Sequence, residues 1–290
     1  MIKFSLPLFL IFSIFTLVGC NSSSPSKQLL NQDTLLEDLS LCRDGSIEYE
    51  IKTIRAIGTD SKNKKKIISE VHIKYPQLNA KNSQLATTVQ TYVNTFIEGQ
   101  LKDNMNAEDT AKAQTITSAS KAFIQSCKSN IETAKMENPD MDQVWYCDII
   151  GNVEMQSATY FTIRFQYNNY TGGAHGNYGE EYATFDIKTG KKLMWADVLI
   201  KDKKFIALAE LRFKQVNGLN ISKPLSEEEG FSFPNNKFAL SDNFGLTNDG
   251  LILYYQPYQV APFSFGATKL QFKYFEISEY LNLKIFGESI

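Results

Sequence analysis

The sequence predicts an α+β fold in which a mainly antiparallel sheet packs against several helices. Residues 159–167 alternate, with Phe161, Ile163, Phe165 and Tyr167 apolar or aromatic on one face. A glycine-rich elbow at 168–176 follows, and a second alternating segment then places Ala183, Phe185 and Ile187 on one face. Such a pair reads as neighbouring antiparallel strands with one buried side. Two segments further upstream carry apolar residues at helical spacing instead. Strands and helices intersperse without a strict βαβ rhythm, which favours α+β over a parallel α/β sheet.

The N-terminus reads as a targeting segment. Met1, Ile2 and Lys3 precede an apolar run over 4–18 that is short for a permanent membrane span. The run closes on Leu17, Val18, Gly19 and Cys20, similar to a bacterial lipobox in which the cysteine is acylated before cleavage. The alternative is an ordinary secretion signal with an incidental cysteine. Acylation at Cys20 implies a stable anchor, because more than one acyl chain holds a protein on a bilayer. Asn21 stands where Gram-negative lipoproteins retained in the inner membrane usually carry aspartate, so outer-membrane delivery is expected if the cell has one. The organisation expected is a signal peptide over 1–19, a lipidated cysteine and tether over 20–40, and two α+β halves at 41–172 and 173–290 that can form one compact unit.

Residues 29–41 read as a short helix or continued tether. Residues 46–57 and 66–75 read as two half-buried strands, the second ended by Pro76, which cannot donate to a ladder. The run Lys62, Lys64, Lys65 and Lys66 between them reads as a solvated hairpin loop. His72 faces away from Val71 and Ile73, as a structural histidine. Leu85, Val89, Tyr92, Val93, Phe96 and Ile97 form one helical stripe, and Ile116, Phe123, Ile124, Cys127 and Ile131 another. A strand over 144–155 leads into the central pair. A helix over 203–216, strands at 238–246, 251–255 and 270–274, and a helix at 276–281 complete the chain. Asp249-Gly250 marks a hairpin.

Besides Cys20 there are three cysteines, Cys42, Cys127 and Cys147. An oxidising compartment implies one disulfide and one thiol, with three pairings open; Cys127–Cys147 is preferred. The formal net charge of −2 and the lack of a basic, aromatic-interleaved run exclude a nucleic-acid binder. Nucleophile-elbow, phosphate-loop, His-Glu-x-x-His and Cys-x-x-Cys motifs are absent. Two histidines far apart argue against a histidine-rich metal site. No cofactor and no metal are expected, and no catalytic residue is assigned.

Thr171-Gly172-Gly173-Ala174-His175-Gly176, then Phe185-Asp186, Thr189-Gly190-Lys191 and Asp197, resemble a bacterial extracytoplasmic domain family. Asp249-Gly250-Leu251 and Pro257-Tyr258 with Val260-Ala261-Pro262 add to the likeness. That family forms the ectodomain of the lysozyme-sensing anti-sigma factor and precedes some peptidoglycan deacetylases. The resemblance implies an α+β fold and a binding role, with lysozyme as partner class. The chain departs from both relatives, lacking an anti-sigma segment and a deacetylase module. The expected function is therefore a lipid-anchored envelope module that recognises lysozyme, another cell-wall hydrolase or peptidoglycan. The alternative is an envelope enzyme acting on glycan through His175 and a carboxylate. Candidate binding residues are Tyr170, His175, Tyr258, Pro262 and Phe263, because uncharged, proline-stiffened aromatic loops make interface anchors. The competing expectation is that Phe263 and Phe265 bury their own rings.

Overall fold

The structure is a computed structural model that describes residues 35–42, 47–79 and 83–282. Six strands run in sequence order across one sheet: β1 (Leu35–Cys42), β2 (Tyr49–Thr59), β3 (Ile67–Leu78), β4 (Trp145–Gln156), β5 (Tyr160–Tyr170) and β6 (Asn177–Asp186). Every pairing is antiparallel except β3 with β4, where Ser69 faces Trp145 and Ile73 faces Ile149. A parallel pair needs a long crossover. Helices α1 (Ser83–Lys102), α2 (Ala107–Lys112) and α3 (Ile116–Glu137) supply it. The expected α+β class holds.

The two apolar helical stripes meet the odd-numbered face of the central strands. Val93, Ile97, Phe123 and Ile131 pack with Ile149, Phe161, Ile163, Phe165 and Phe185 in one fully buried core. Phe96 stacks on Phe165 with ring centroids 4.6 Å apart. The helix α3 begins on a reciprocal cap in which Thr115 and Ser118 exchange side-chain and backbone hydrogen bonds.

Several boundaries differ from those expected, each for a reason in the packing. Residues 35–42 form a strand rather than a helix or tether. Pro76 does not end β3, which runs on to Leu78. The Asn79 N–H donates to the Glu48 carbonyl, so by alternation the Pro76 nitrogen points away from β2, to a side where β4 last pairs at Lys74–Ile150, and its missing N–H costs no ladder bond. Positions 172/173, where two halves able to form one compact unit were expected to meet, lie in the elbow joining the paired β5 and β6. Cys127 on α3 and Cys147 on β4 are both free and buried, so the preferred Cys127–Cys147 disulfide is not formed in this structure. Burial, then the neighbouring Cys147, pushes the Cys127 thiol far up. Burial, then Asp148, pushes Cys147 up to about 12. Both behave as small apolar core residues, not as thiolates.

A second layer is built on β7 (Phe244–Leu246), β8 (Gly250–Tyr255) and β9 (Thr268–Lys273), all antiparallel. The helix α5 (Asp202–Val216) covers it, with the single turns α4 (Trp195–Val198) and α6 (Tyr274–Ile277) at its margins. Phe205, Phe213, Leu253, Leu270 and Phe272 fill this second core. The strand expected over 238–246 is reduced to 244–246, because the preceding residues spend their polar groups on neighbours. Ser241 Oγ donates to the Tyr254 carbonyl at 2.7 Å. Asn243 Oδ1 accepts from the Tyr182 N–H at 2.9 Å while its Nδ2 donates to the Glu180 carbonyl at 2.6 Å. This side chain thus replaces a partner strand along the open edge of β6, where unpaired backbone would be costly.

Asp60 opens the β2–β3 turn and gives it a pH signature. Its carboxylate receives Lys135 Nζ at 2.6 Å and the N–H groups of Lys62 and Asn63 at 2.8 and 3.1 Å. Lys135 first, then these amides, hold its pKa well below the usual carboxylate range. A depressed carboxylate contributes stability above its unfolded pKa near ~4 and loses it as pH falls towards the folded value. The stability difference between wild type and Asp60→Asn should therefore be widest near neutrality and close on acidification below ~4. Urea unfolding at both extremes measures it; an equal difference at each pH would sink this account.

Candidate functional site

The elbow between β5 and β6 and the loop between β8 and β9 meet at one end of the larger sheet. His175 lies flat on Phe263, with ring centroids 3.8 Å apart and planes 13° from parallel. Tyr258 stands beside both rings, 5.4 Å from Phe263, and Tyr178 meets Phe263 edge-on at 5.8 Å. His175 Nδ1 is 2.9 Å from the Gly176 carbonyl, which can only accept, so this nitrogen carries the proton. Nε2 then accepts from the Tyr258 hydroxyl at 3.2 Å.

Local sequence explains why these rings are presented rather than buried. Gly172 and Gly173 adopt φ of +95° and +88°, and a Cβ on Gly172 would lie 2.9 Å from the Trp145 ring. The elbow thus closes tightly over Trp145, and Tyr170 ties it by donating its hydroxyl to the Gly173 carbonyl at 3.1 Å. On the other loop, Gln256 reaches back to donate to the Glu180 carbonyl at 2.6 Å, and it accepts from the Tyr167 hydroxyl at 3.1 Å. Pro257 and Val260 are buried on either side, which pushes Tyr258 outward. Tyr258 itself has φ of +68°, a conformation that costs a residue with a Cβ and persists only where its surroundings impose it. Pro262 starts a single 3-10 turn over Phe263–Phe265.

Of the five candidate residues, His175, Tyr258 and Phe263 touch one another, Pro262 sets the turn that presents Phe263, and Tyr170 braces the elbow from below. Tyr258 is 62% exposed and Phe265 50% exposed, so Phe265 does not bury its own ring. It leans on Phe231 at 5.1 Å instead. Phe263 is half-buried, covered by His175. Tyr178 joins the rim although its sequence context singled out only the loops; its place directly after the elbow was the available signal. The two ring nitrogens of His175 engage a carbonyl and a phenol.

Two neighbouring glutamates of β6 turn their carboxylates to partners within the protein. Glu180 accepts from the Tyr182 hydroxyl and from Lys269 Nζ at 2.8 Å, with Arg164 at 4.0 Å. Glu181 accepts from the Tyr92 hydroxyl at 3.0 Å, and burial raises its pKa. His72 pairs with Asp148 across β3 and β4 at 3.0 Å, a structural role as expected. Among the described residues no group of three or more His, Cys, Asp or Glu side chains is arranged to hold a metal ion, and no helix is long and apolar enough to cross a membrane.

The fold and the rim define a two-core α+β module with a preformed aromatic surface, and the comparisons give this class its relatives. Residues 61–178 match the family model described as Deacetylase PdaC, and residues 197–274 match the one described as Protein of unknown function (DUF3298). The chain is thus similar to PdaC over its first matched region and to DUF3298 over its second, and the two matches together suggest an extracytoplasmic, envelope-associated module. A DUF3298-family structure from Bacteroides fragilis NCTC 9343 is similar at a TM-score of 0.59 and 16% identity, covering 87% of this chain and 96% of that one. Another from Pseudomonas aeruginosa PAO1 is similar at 0.52 and 17%, covering 88% and 97%. At such identities the likeness concerns the fold alone. No curated protein matches the chain. The rim is assembled across the two matched regions: Tyr170, His175 and Tyr178 come from the first, Tyr258, Pro262 and Phe263 from the second.

Proposed function

We propose that this protein is a lipid-anchored binding module of the cell envelope, held by acylated Cys20, that docks a cell-wall hydrolase of the lysozyme class on the His175–Tyr258–Phe263 rim. The observation that carries the reading is the preformed, exposed aromatic surface. Its rings are stacked on each other and pinned by buried neighbours, so little side-chain freedom remains to be lost on binding. Stacked rings that fill one another's faces leave no cage for a small ligand, but they offer a broad contact area suited to a macromolecule. The match to the family model described as Deacetylase PdaC supports a cell-wall setting.

Titration of the purified protein with lysozyme tests this, alongside co-sedimentation with insoluble peptidoglycan. Tyr258→Ala should weaken lysozyme binding by at least about 2 kcal/mol, roughly thirtyfold, without changing the unfolding midpoint. Retention on peptidoglycan that is lost in Tyr258→Ala, with no affinity for lysozyme, would instead make glycan the partner. Binding to neither would refute the rim as an interface.

A further inference from the structure

The register of β1 places its first residue, Leu35, and the lysine-rich turn at the same end of the sheet. Leu35, the first residue of β1, pairs with Ala56, three residues before β2 ends at Thr59. The chain therefore reaches the sheet within about 10–14 Å of the β2–β3 turn, at ~3.3 Å per strand residue. From Cys20 to Leu35 there are fifteen peptide steps, which span at most about 50 Å. Lys62, Lys64 and Lys65 on that turn are exposed, and no ion pair involves them among the described residues. Lys66 and Lys135, by contrast, are occupied by Asp142 at 2.7 Å and Asp60 at 2.6 Å. The Asp60 hydrogen bonds to Lys62 and Asn63 hold the turn's backbone in one shape while three ammonium groups remain unspent.

We infer that this turn is a second membrane contact: Lys62, Lys64 and Lys65 bind the headgroups of anionic phospholipid in the bilayer that carries the anchor. The inference rests on the anchored reading above and adds an orientation to it. Acyl chains keep the turn within the tether's reach of the bilayer, where a few weak charge contacts act at raised effective concentration because they are intramolecular. Polybasic segments beside an anchor act in this way, within about a Debye length of ~8–10 Å. Glu132 and Asp140, with the paired Asp60 and Asp142, border the depression on the α3 side of the turn and oppose the attraction. The short screening length makes the charges nearest the surface, those of the turn, decisive when it touches.

Topology extends the consequence to the rim. Because β4 is parallel to β3 and β5 returns beside it, Trp145 and Tyr170 lie at the same end as the lysine turn. The elbow carrying His175 is about three strand spacings away, ~14 Å across the sheet. A partner docked there meets this protein close to the bilayer, while the turn after β6, with Lys188, points to the opposite end.

Lysine footprinting tests the inference. The lipidated full chain is placed in vesicles of phosphatidylcholine alone, or with about one-third phosphatidylglycerol. Labelling of Lys62, Lys64 and Lys65 by an amine-reactive reagent should fall roughly three- to tenfold with the anionic lipid and recover in high salt. Exposed Lys188 serves as the internal control and should not change. Equal labelling of the three lysines in both vesicles would overturn the inference. Palmitate labelling reports the anchor separately. If Cys20 carries no acyl chain, the same protein held on nickel-chelating vesicles by an N-terminal tag is footprinted identically, so that loss of the anchor and loss of the headgroup contact remain distinguishable. Lysozyme titration of Lys62→Gln, Lys64→Gln, Lys65→Gln protein in solution should match wild type, which separates this contact from the rim.

Discussion

Phe213→Ala should lower the stability of the protein by about 3–5 kcal/mol, the range for truncating a buried aromatic. Phe213 is 0% exposed on α5. Its ring centre lies 5.3–5.7 Å from those of Phe231, Phe233, Phe238 and Tyr255, three of them edge-on. Edge-to-face packing adds to area burial, so the truncation forfeits both and leaves a cavity walled by rigid rings that cannot collapse into it. The measurement is a urea-unfolding midpoint with the slope unchanged. A loss below about 1 kcal/mol would mean that the ring cluster repacks and that the second core is looser than the geometry states. Phe231 also supports the exposed Phe265, so the same variant should loosen the margin of the aromatic rim.

Gly250→Ala should destabilise by about 3 kcal/mol or more, although it adds only one methyl group. Gly250 has φ of +155°, and a Cβ there would sit 1.9 Å from the Phe272 carbonyl oxygen, a backbone atom that cannot step aside. The Gly250–Lys273 pair begins the β8–β9 ladder, and the Gly250 carbonyl accepts from the Thr247 N–H at 2.8 Å. Relieving the overlap therefore means parting two strands at the centre of the second layer. Asp249→Ala is the control, since Asp249 is exposed and only loosely paired with Lys273 at 3.8 Å; it should stay within about 0.5 kcal/mol of wild type. A tolerated Gly250→Ala would show that the β7–β8 turn can re-form without its left-handed backbone.

Both variants bear on what could be read from the chain alone. Asp249-Gly250 between alternating segments announced a hairpin because few residues other than glycine accept the required backbone. The close approach of Phe272, which makes the glycine costly to replace, lies 22 positions further on and leaves no local mark. The aromatic loops were legible for a similar reason: Pro257 and Pro262 exclude a central strand, so Tyr258 and Phe263 had to lie in irregular backbone. That His175 would cover Phe263 followed from nothing near either residue. The preferred Cys127–Cys147 pairing is met by two free, buried thiols.

Period and punctuation by themselves determined the α+β class, the two apolar helices, the central strand pair and the glycine elbow, because each depends on side chains within a few positions. Sheet order, the parallel β3–β4 step and the closing of the β6 edge by Asn243 were decided only by tertiary structure. They depend on which surfaces meet across long stretches of chain, and an alternating strand carries the same pattern whichever neighbour it takes. The same holds for the two ends of the sheet. The lysine run was plain in the sequence as a solvated turn, and only the pairing of Leu35 with Ala56 placed it beside the chain that leads back to Cys20.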